Sequence, residues 1–174
     1  MKDMRREVLY DRSQIAARVK ELAREISDDY QGRDLIVIGV LKGAFIFMAD
    51  LIRALSIPCR VDFIKVASYG AGTESSGRIK MTKDIETELT GRDVLIVEDI
   101  VDSGLTLSWL VDYLKKKNPC SLKVCAFLDK SSRRKVPFTA DYTGFTMDDG
   151  FVVGYGLDYN EQARYLPEVY IVKQ

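Results

Sequence analysis

No histidine occurs anywhere in the 174 residues. The commonest general base and the commonest side-chain metal ligand are therefore missing. Nucleophile systems built on a Ser–His or Cys–His pair are excluded with them. Proton transfer has to rest on Asp, Glu, Lys or Tyr, and a bound metal has to be a hard cation held by oxygen, such as magnesium. Cysteine is scarce: Cys59, Cys120 and Cys125 are scattered without metal-site spacing and read as reduced thiols. Neither charge sign is in surplus, because 26 Lys and Arg balance 26 Asp and Glu. That balance argues against nucleic acid or an anionic membrane as a partner. No apolar run approaches the length of a membrane span, and the charged opening MKDMRRE has no signal-peptide core, so a cytoplasmic location is expected. Internal repeats and low-complexity segments are absent as well.

What remains is the composition of an ordinary globular chain, 47% apolar, expected to form one domain over residues 1–174 with a substantial core. Ile15, Val19, Leu22 and Ile26 recur at helical spacing, with Ser13 as N-cap and Gly32 closing the helix. Residues 35–40 (LIVIGV) read as a central strand, 41–43 as a turn and 44–55 as a helix. Pro58 breaks the chain before a strand over 60–66, and the Gly/Ser-dense stretch 68–77 reads as an excursion between strands. A turn at 90–93 leads into a strand at 94–97. Leu107, Leu110, Val111 and Leu114 then form a helical stripe ending in Lys115, Lys116 and Lys117, where cations suit the helix dipole. Asn118-Pro119 stops that helix. Residues 122–128 form another strand, 133–135 a solvated basic loop, and 151–155 and 169–172 short late strands joined through a helical turn over 158–165. Strands alternating with helices predict an α/β fold with a mostly parallel, doubly wound sheet flanked by helices, with ligands at the carboxyl ends of the strands.

The most informative stretch is 94–106, VLIVEDIVDSGLT. A buried strand ends in the acidic pair Glu98 and Asp99, and Asp102 precedes Ser103, Gly104, Leu105 and Thr106, after which the helix begins. Gly104 lets a ligand approach the backbone, Ser103 and Thr106 offer hydroxyls, and the first helical amides lack intrahelical partners and carry the positive end of the dipole. A phosphomonoester fits there. The acids would repel it, so they face sugar hydroxyls, a metal or a transferable proton. Singly, Glu98 and Asp99 would read as solvated turn acids and Ser103 or Asp102 as N-caps. Their order after a buried strand favours a ligand site.

These residues resemble the phosphoribosyl pyrophosphate motif of the type I phosphoribosyltransferases. Leu41-Lys42-Gly43, Ser68-Tyr69, Lys130 and the segment FVVGYGLDY at 151–159 resemble the hypoxanthine-guanine branch of that family. The resemblance implies the family's fold, with a small hood built from the terminal segments, and salvage of hypoxanthine or guanine to IMP or GMP with release of pyrophosphate. It implies that Glu98 and Asp99 meet the ribose, that Asp102 takes the N7 proton of the base, and that residues 103–106 hold the 5′-phosphate. Leu41, Lys42, Gly43 and Arg164 would bind pyrophosphate, with a cis peptide between Leu41 and Lys42. Ser68 and Tyr69 would open a lid over 68–77. Lys130 would donate to O6 of the purine, Phe151 stack on it and Val152 offer backbone groups, with Asp158 beside the base.

Magnesium is the implied cofactor, near Glu98, Asp99 and Asp158, partly bridged by substrate, and the implied assembly is a homodimer or homotetramer. Residue by residue, Phe151 alone would read as core, Lys42 as a solvated loop residue, and Asp158 with Glu161 as a helical capping box. Two other functions use the same fold: a regulatory RNA-binding protein, against which zero net charge, Lys130 and Phe151 argue, and a transferase for xanthine or adenine.

Overall fold

The computed structural model describes residues 5–69 and 78–173. In chain order its elements are β1 (Arg6–Tyr10), α1 (Arg12–Asp29), β2 (Leu35–Val40), α2 (Phe45–Ala54), β3 (Cys59–Tyr69), β4 (Arg78–Lys83), β5 (Asp93–Val101), α3 (Leu105–Lys115), β6 (Ser121–Lys130), β7 (Tyr142–Met147), β8 (Phe151–Val153) and β9 (Val169–Val172). Six strands form one sheet in the order β4-β3-β2-β5-β6-β7. All neighbours are parallel except β4, which pairs antiparallel with β3. A second, antiparallel sheet, β1-β9-β8, joins the two ends of the chain into the expected hood.

Continuous apolar runs make central strands because both faces of a parallel sheet are covered. Leu35, Val37, Leu95, Val97, Cys125 and Phe127 pack with α1 and α2, while Ile36, Ile38, Val94, Ile96, Val124 and Ala126 pack with Leu107, Leu110 and Leu114 of α3. From β2 the chain crosses through α2 to β3. It later returns to β5 on the other side of β2 and crosses through α3 to β6. The loops leaving the carboxyl ends of β2 and β5 therefore diverge, opening the crevice where open α/β sheets bind ligands.

Several local expectations are corrected. Asp11, not Ser13, caps α1: its Oδ1 accepts from the amides of Ser13 (2.8 Å) and Gln14 (2.9 Å), and the Asp11 amide donates to Gln14 Oε1 (2.9 Å). Asp11 has the extended backbone an N-cap needs (φ −80°, ψ 170°), and Ser13 already lies inside the helix. The acidic pair lies within β5 rather than after it, because β6 continues the pairing through Glu98↔Ala126 and Val101↔Asp129. The helical turn expected over 158–165 does not form. Asn160, Glu161 and Ala163 have φ of 49°, 63° and 73°, and Tyr159 and Gln162 make an isolated bridge. The Glu161 amide still donates to Asp158 Oδ2 (2.8 Å), so half of the capping box exists without a helix. Strands β1, β4 and β7 carry no long apolar run; β4 and β7 form against the preceding strands β3 and β6, and β1 against the distant β9. Of the expected lid, Ser68 and Tyr69 end β3, and residues 70–77 lie outside the described residues.

Candidate active site

The loop leaving β2 and the end of β5 meet closely. Gly39 pairs with Val97, which brings residues 41–43 alongside Glu98 and Asp99. Gly43 is buried against Asp99: a Cβ there would overlap the Asp99 carboxylate. On its other side, the Gly43 carbonyl fills the space that a side chain at Gly156 would need. Three segments far apart in sequence thus converge on two glycines. The Leu41–Lys42 peptide is cis.

Beyond Val101 the chain turns through Asp102, Ser103 and Gly104 into α3. Gly104 is the N-cap, with φ 79°, a left-handed conformation that glycine adopts at low cost. Neither Asp102 nor Ser103 caps the helix, which corrects the plain alternative for both. The Leu105 amide approaches Ser103 Oγ at 3.4 Å, and the amides of Thr106 and Leu107 open the helix without intrahelical acceptors. Asp102 Oδ1 is buried with no partner among the described residues, while its Oδ2 stands 4.0 Å from Arg133. The stretch expected to be a solvated basic loop braces this turn instead. Lys135 donates its amide to the Ser103 carbonyl (2.9 Å), and Arg134 pairs with Asp129 and donates to the Phe138 carbonyl (2.8 Å). Its side chain and Phe138 press on Gly104.

Glu98 is buried, and burial followed by the adjacent Asp99 raises its carboxyl well above the ordinary range. A carboxyl raised in this way keeps its proton more readily, and a protonated carboxyl donates as well as accepts, which suits sugar hydroxyls.

At the end of β6, Lys130 is 5% exposed; its Nζ donates to the Gly150 carbonyl (2.8 Å) and faces Asp149 Oδ1 (3.0 Å). An ammonium has three donors, so one remains for a ligand. Phe151 is 47% exposed, not core, and stands edge-on to Tyr159 at 5.6 Å. Val152 is buried in β8, the edge strand of the hood, which leaves one row of main-chain groups free of sheet pairing.

Residues 156–164 form a closed loop. Arg164 donates to the Gly156 carbonyl (2.8 Å) and pairs with Asp158 (2.7 Å), while its buried Nε has no partner among the described residues. Lys42 reaches across from the β2 loop to Glu161 at 2.6 Å. Among the described residues no group of three or more carboxylates or cysteines is placed to cage a metal, so Glu98, Asp99 and Asp158 do not form a protein-only site. Oxygen donors of this kind do fit magnesium, which binds through one or two carboxylates when phosphate oxygens and waters complete its shell. Sequence reasoning missed Glu161, Tyr159 and Asp149 as neighbours of the site. The only local signal was the capping-box spacing at Glu161, and that pointed to a helix.

The sequence model of the phosphoribosyl transferase domain matches residues 6–160. The chain belongs to the phosphoribosyltransferase family. Among phosphoribosyltransferases it is 52% identical to the hypoxanthine-guanine phosphoribosyltransferase of Aquifex aeolicus (strain VF5), over 95% of this chain and 94% of that protein. It is 48% identical to the bifunctional protein TilS/HprT of Listeria innocua over 95% of its own length, but spans only 26% of that longer protein. The solved structure of a hypoxanthine phosphoribosyltransferase from Staphylococcus aureus superposes with a TM-score of 0.94 at 41% identity, covering 99% of this chain and 93% of the other. The mostly parallel sheet with its hood is the type I phosphoribosyltransferase fold. No helix among the described residues is long and apolar enough to cross a membrane.

Proposed function

We propose that the protein transfers the 5-phosphoribosyl group of phosphoribosyl pyrophosphate to hypoxanthine or guanine, yielding IMP or GMP and pyrophosphate. The observation that carries this reading is the crevice between β2 and β5, where Gly43 lies against Asp99 and Gly156. There the lysine-bearing loop after β2 meets the acidic pair of β5, the strand that leads through residues 102–104 into α3.

In this reading residues 103–106 hold the 5′-phosphate and Glu98 and Asp99 hold the ribose hydroxyls. Lys42, Arg164 and the backbone of residues 41–43 hold pyrophosphate. N9 of the base bonds to the anomeric carbon as the bond to pyrophosphate breaks, and the N7 proton passes to Asp102. The buried, unpartnered Oδ1 of Asp102 supports that role. Positive charge develops on the ribose and negative charge on the leaving group, and fixed charges aimed at both lower the barrier. Lys130 donates to O6, which disfavours the 6-amino group of adenine. Phe151 stacks on the ring and Val152 meets its edge. Magnesium, held by substrate oxygens with Asp158 and the Glu98–Asp99 pair directly or through water, would supply positive charge at pyrophosphate. Ser68 and Tyr69 are proposed to start a lid that keeps water from the reacting centre.

We also propose a cytoplasmic homodimer or homotetramer. A surface groove of about 610 Å³, with apolar Ile15, Ile46 and Tyr165 beside charged Arg12, Asp50 and Arg53, supports self-association, and sedimentation tests it. The activity is tested by absorbance with phosphoribosyl pyrophosphate, magnesium and hypoxanthine, guanine, xanthine or adenine in turn. Turnover is expected with hypoxanthine and guanine. A preference for xanthine or adenine, or no turnover accompanied by salt-sensitive RNA binding, reverses the proposal.

A further inference from the structure

We propose that Glu161 is a built-in competitor of pyrophosphate, a positioning residue whose carboxylate engages the two leaving-group cations whenever pyrophosphate is away. The inference rests on the assignment of Lys42 and Arg164 to pyrophosphate. Glu161 Oε2 lies 2.6 Å from Lys42 Nζ, and its Oε1 lies 3.6 Å from an Arg164 guanidinium nitrogen. Lys42 comes from the loop after β2 and Arg164 from the loop closed on Gly156. One carboxylate therefore bridges two cations from separate segments, much as two oxygens of a phosphate would.

The bridge is placed rather than incidental. The Glu161 amide is anchored on Asp158 Oδ2 at 2.8 Å, and Asp158 itself pairs with Arg164 at 2.7 Å. The Glu161 side chain is 63% exposed. An exposed pair of this kind adds little to stability, and the side chain can swing into solvent when a more highly charged anion arrives. Pyrophosphate and its phosphoribosyl ester must displace Glu161 to reach Lys42. Re-formation of the bridge then opposes recapture of the released product.

Glu161→Gln keeps the size and removes the charge. The expected result is that the product-inhibition constant of pyrophosphate falls about two- to fivefold, the range an exposed ion pair implies. KM for phosphoribosyl pyrophosphate falls in the same direction, while KM for the purine base is unchanged. The gain shrinks at high salt, where exposed charges are screened. Unchanged or weaker pyrophosphate inhibition in Glu161→Gln overturns the proposal. Lys42→Met separates it from the assignment beneath it. Lys42→Met is expected to weaken pyrophosphate inhibition, and adding Glu161→Gln to that background is expected to recover less than half of its original effect. If Lys42→Met leaves inhibition intact, the assignment of Lys42 fails and the competitor role falls with it. If Lys42→Met weakens inhibition but Glu161→Gln does not tighten it, only the competitor role fails.

Discussion

Burial and the neighbouring Asp99 raise the Glu98 carboxyl well above the ordinary carboxylate range. An acid raised in this way keeps its proton in the folded chain at pH values where the unfolded chain has lost it. Unfolding then releases a proton, so stability declines as pH rises from the unfolded pKa toward the folded one. Glu98→Gln removes that dependence. Thermal melts of the ligand-free variant should vary less between pH 5 and neutrality than those of the parent, as about one proton's linkage would require, and should sit higher at neutral pH. An equally steep pH dependence in the variant would move its cause away from Glu98. Asp102 poses a chemical question instead. Asp102→Asn preserves shape but cannot accept the N7 proton, so kcat is expected to fall by about 10²-fold or more while the nucleotide still binds. Titration with IMP and single-turnover kinetics check both halves; near-normal turnover removes Asp102 as the base. The place of Asp102 before a Ser-Gly turn was legible in the sequence, whereas the raised carboxyl of Glu98 was not, because its burial is set by β2 and β6 on either side.

The strands read from continuous apolar runs, β2, β5 and β6, formed where expected, as did the amphipathic helices α1 and α3. Their signals are periodic and local. β1, β4 and β7 were not legible: their sequences are short and mixed, and their pairing is supplied by β9, β3 and β6. The same reason hid the true form of residues 154–164, where a run of left-handed backbone replaces the expected helical turn. Gly156 shows what that segment requires. Its φ is 98°, and an added Cβ would strike the Gly43 carbonyl. Gly156→Ala is expected to cost about 1–3 kcal/mol of stability and to raise KM for phosphoribosyl pyrophosphate more than KM for the base. A melt combined with steady-state kinetics on both substrates tests this. A wild-type melt would mean that the two loops yield to one another without cost.

For the whole molecule, the question is how the hood is held over the main sheet. Tyr10 of β1 stacks on Phe145 of β7 at 4.0 Å and 20°, and its hydroxyl donates to the Thr146 carbonyl (3.2 Å). This contact ties the second sheet to the edge of the first, and β9 links β1 to β8, the strand that carries Phe151 and Val152. Tyr10→Ala is expected to destabilise the chain by about 1–3 kcal/mol, a fall of several degrees in Tm for a chain of this length. KM for the purine base should rise while KM for phosphoribosyl pyrophosphate changes little. Equal effects on both substrates would show that the hood does not act through the base subsite.

The amino-acid sequence by itself determined which chemistry was open to this protein. It has no histidine, it has a strand ending in acids, and it has a small polar turn that opens a helix; each is a property of neighbouring residues. It also carried the burial of the central strands, because their apolar runs have one good solution in water. Tertiary structure alone decided that Gly43 touches both Asp99 and Gly156, that Phe151 stays exposed while Lys130 is buried, and that Glu161 stands between Lys42 and Arg164. The contacts of Gly43 with Asp99 and Gly156, and of Lys42 with Glu161, join segments dozens of residues apart, and local preferences carry no information about which distant partner a side chain will meet.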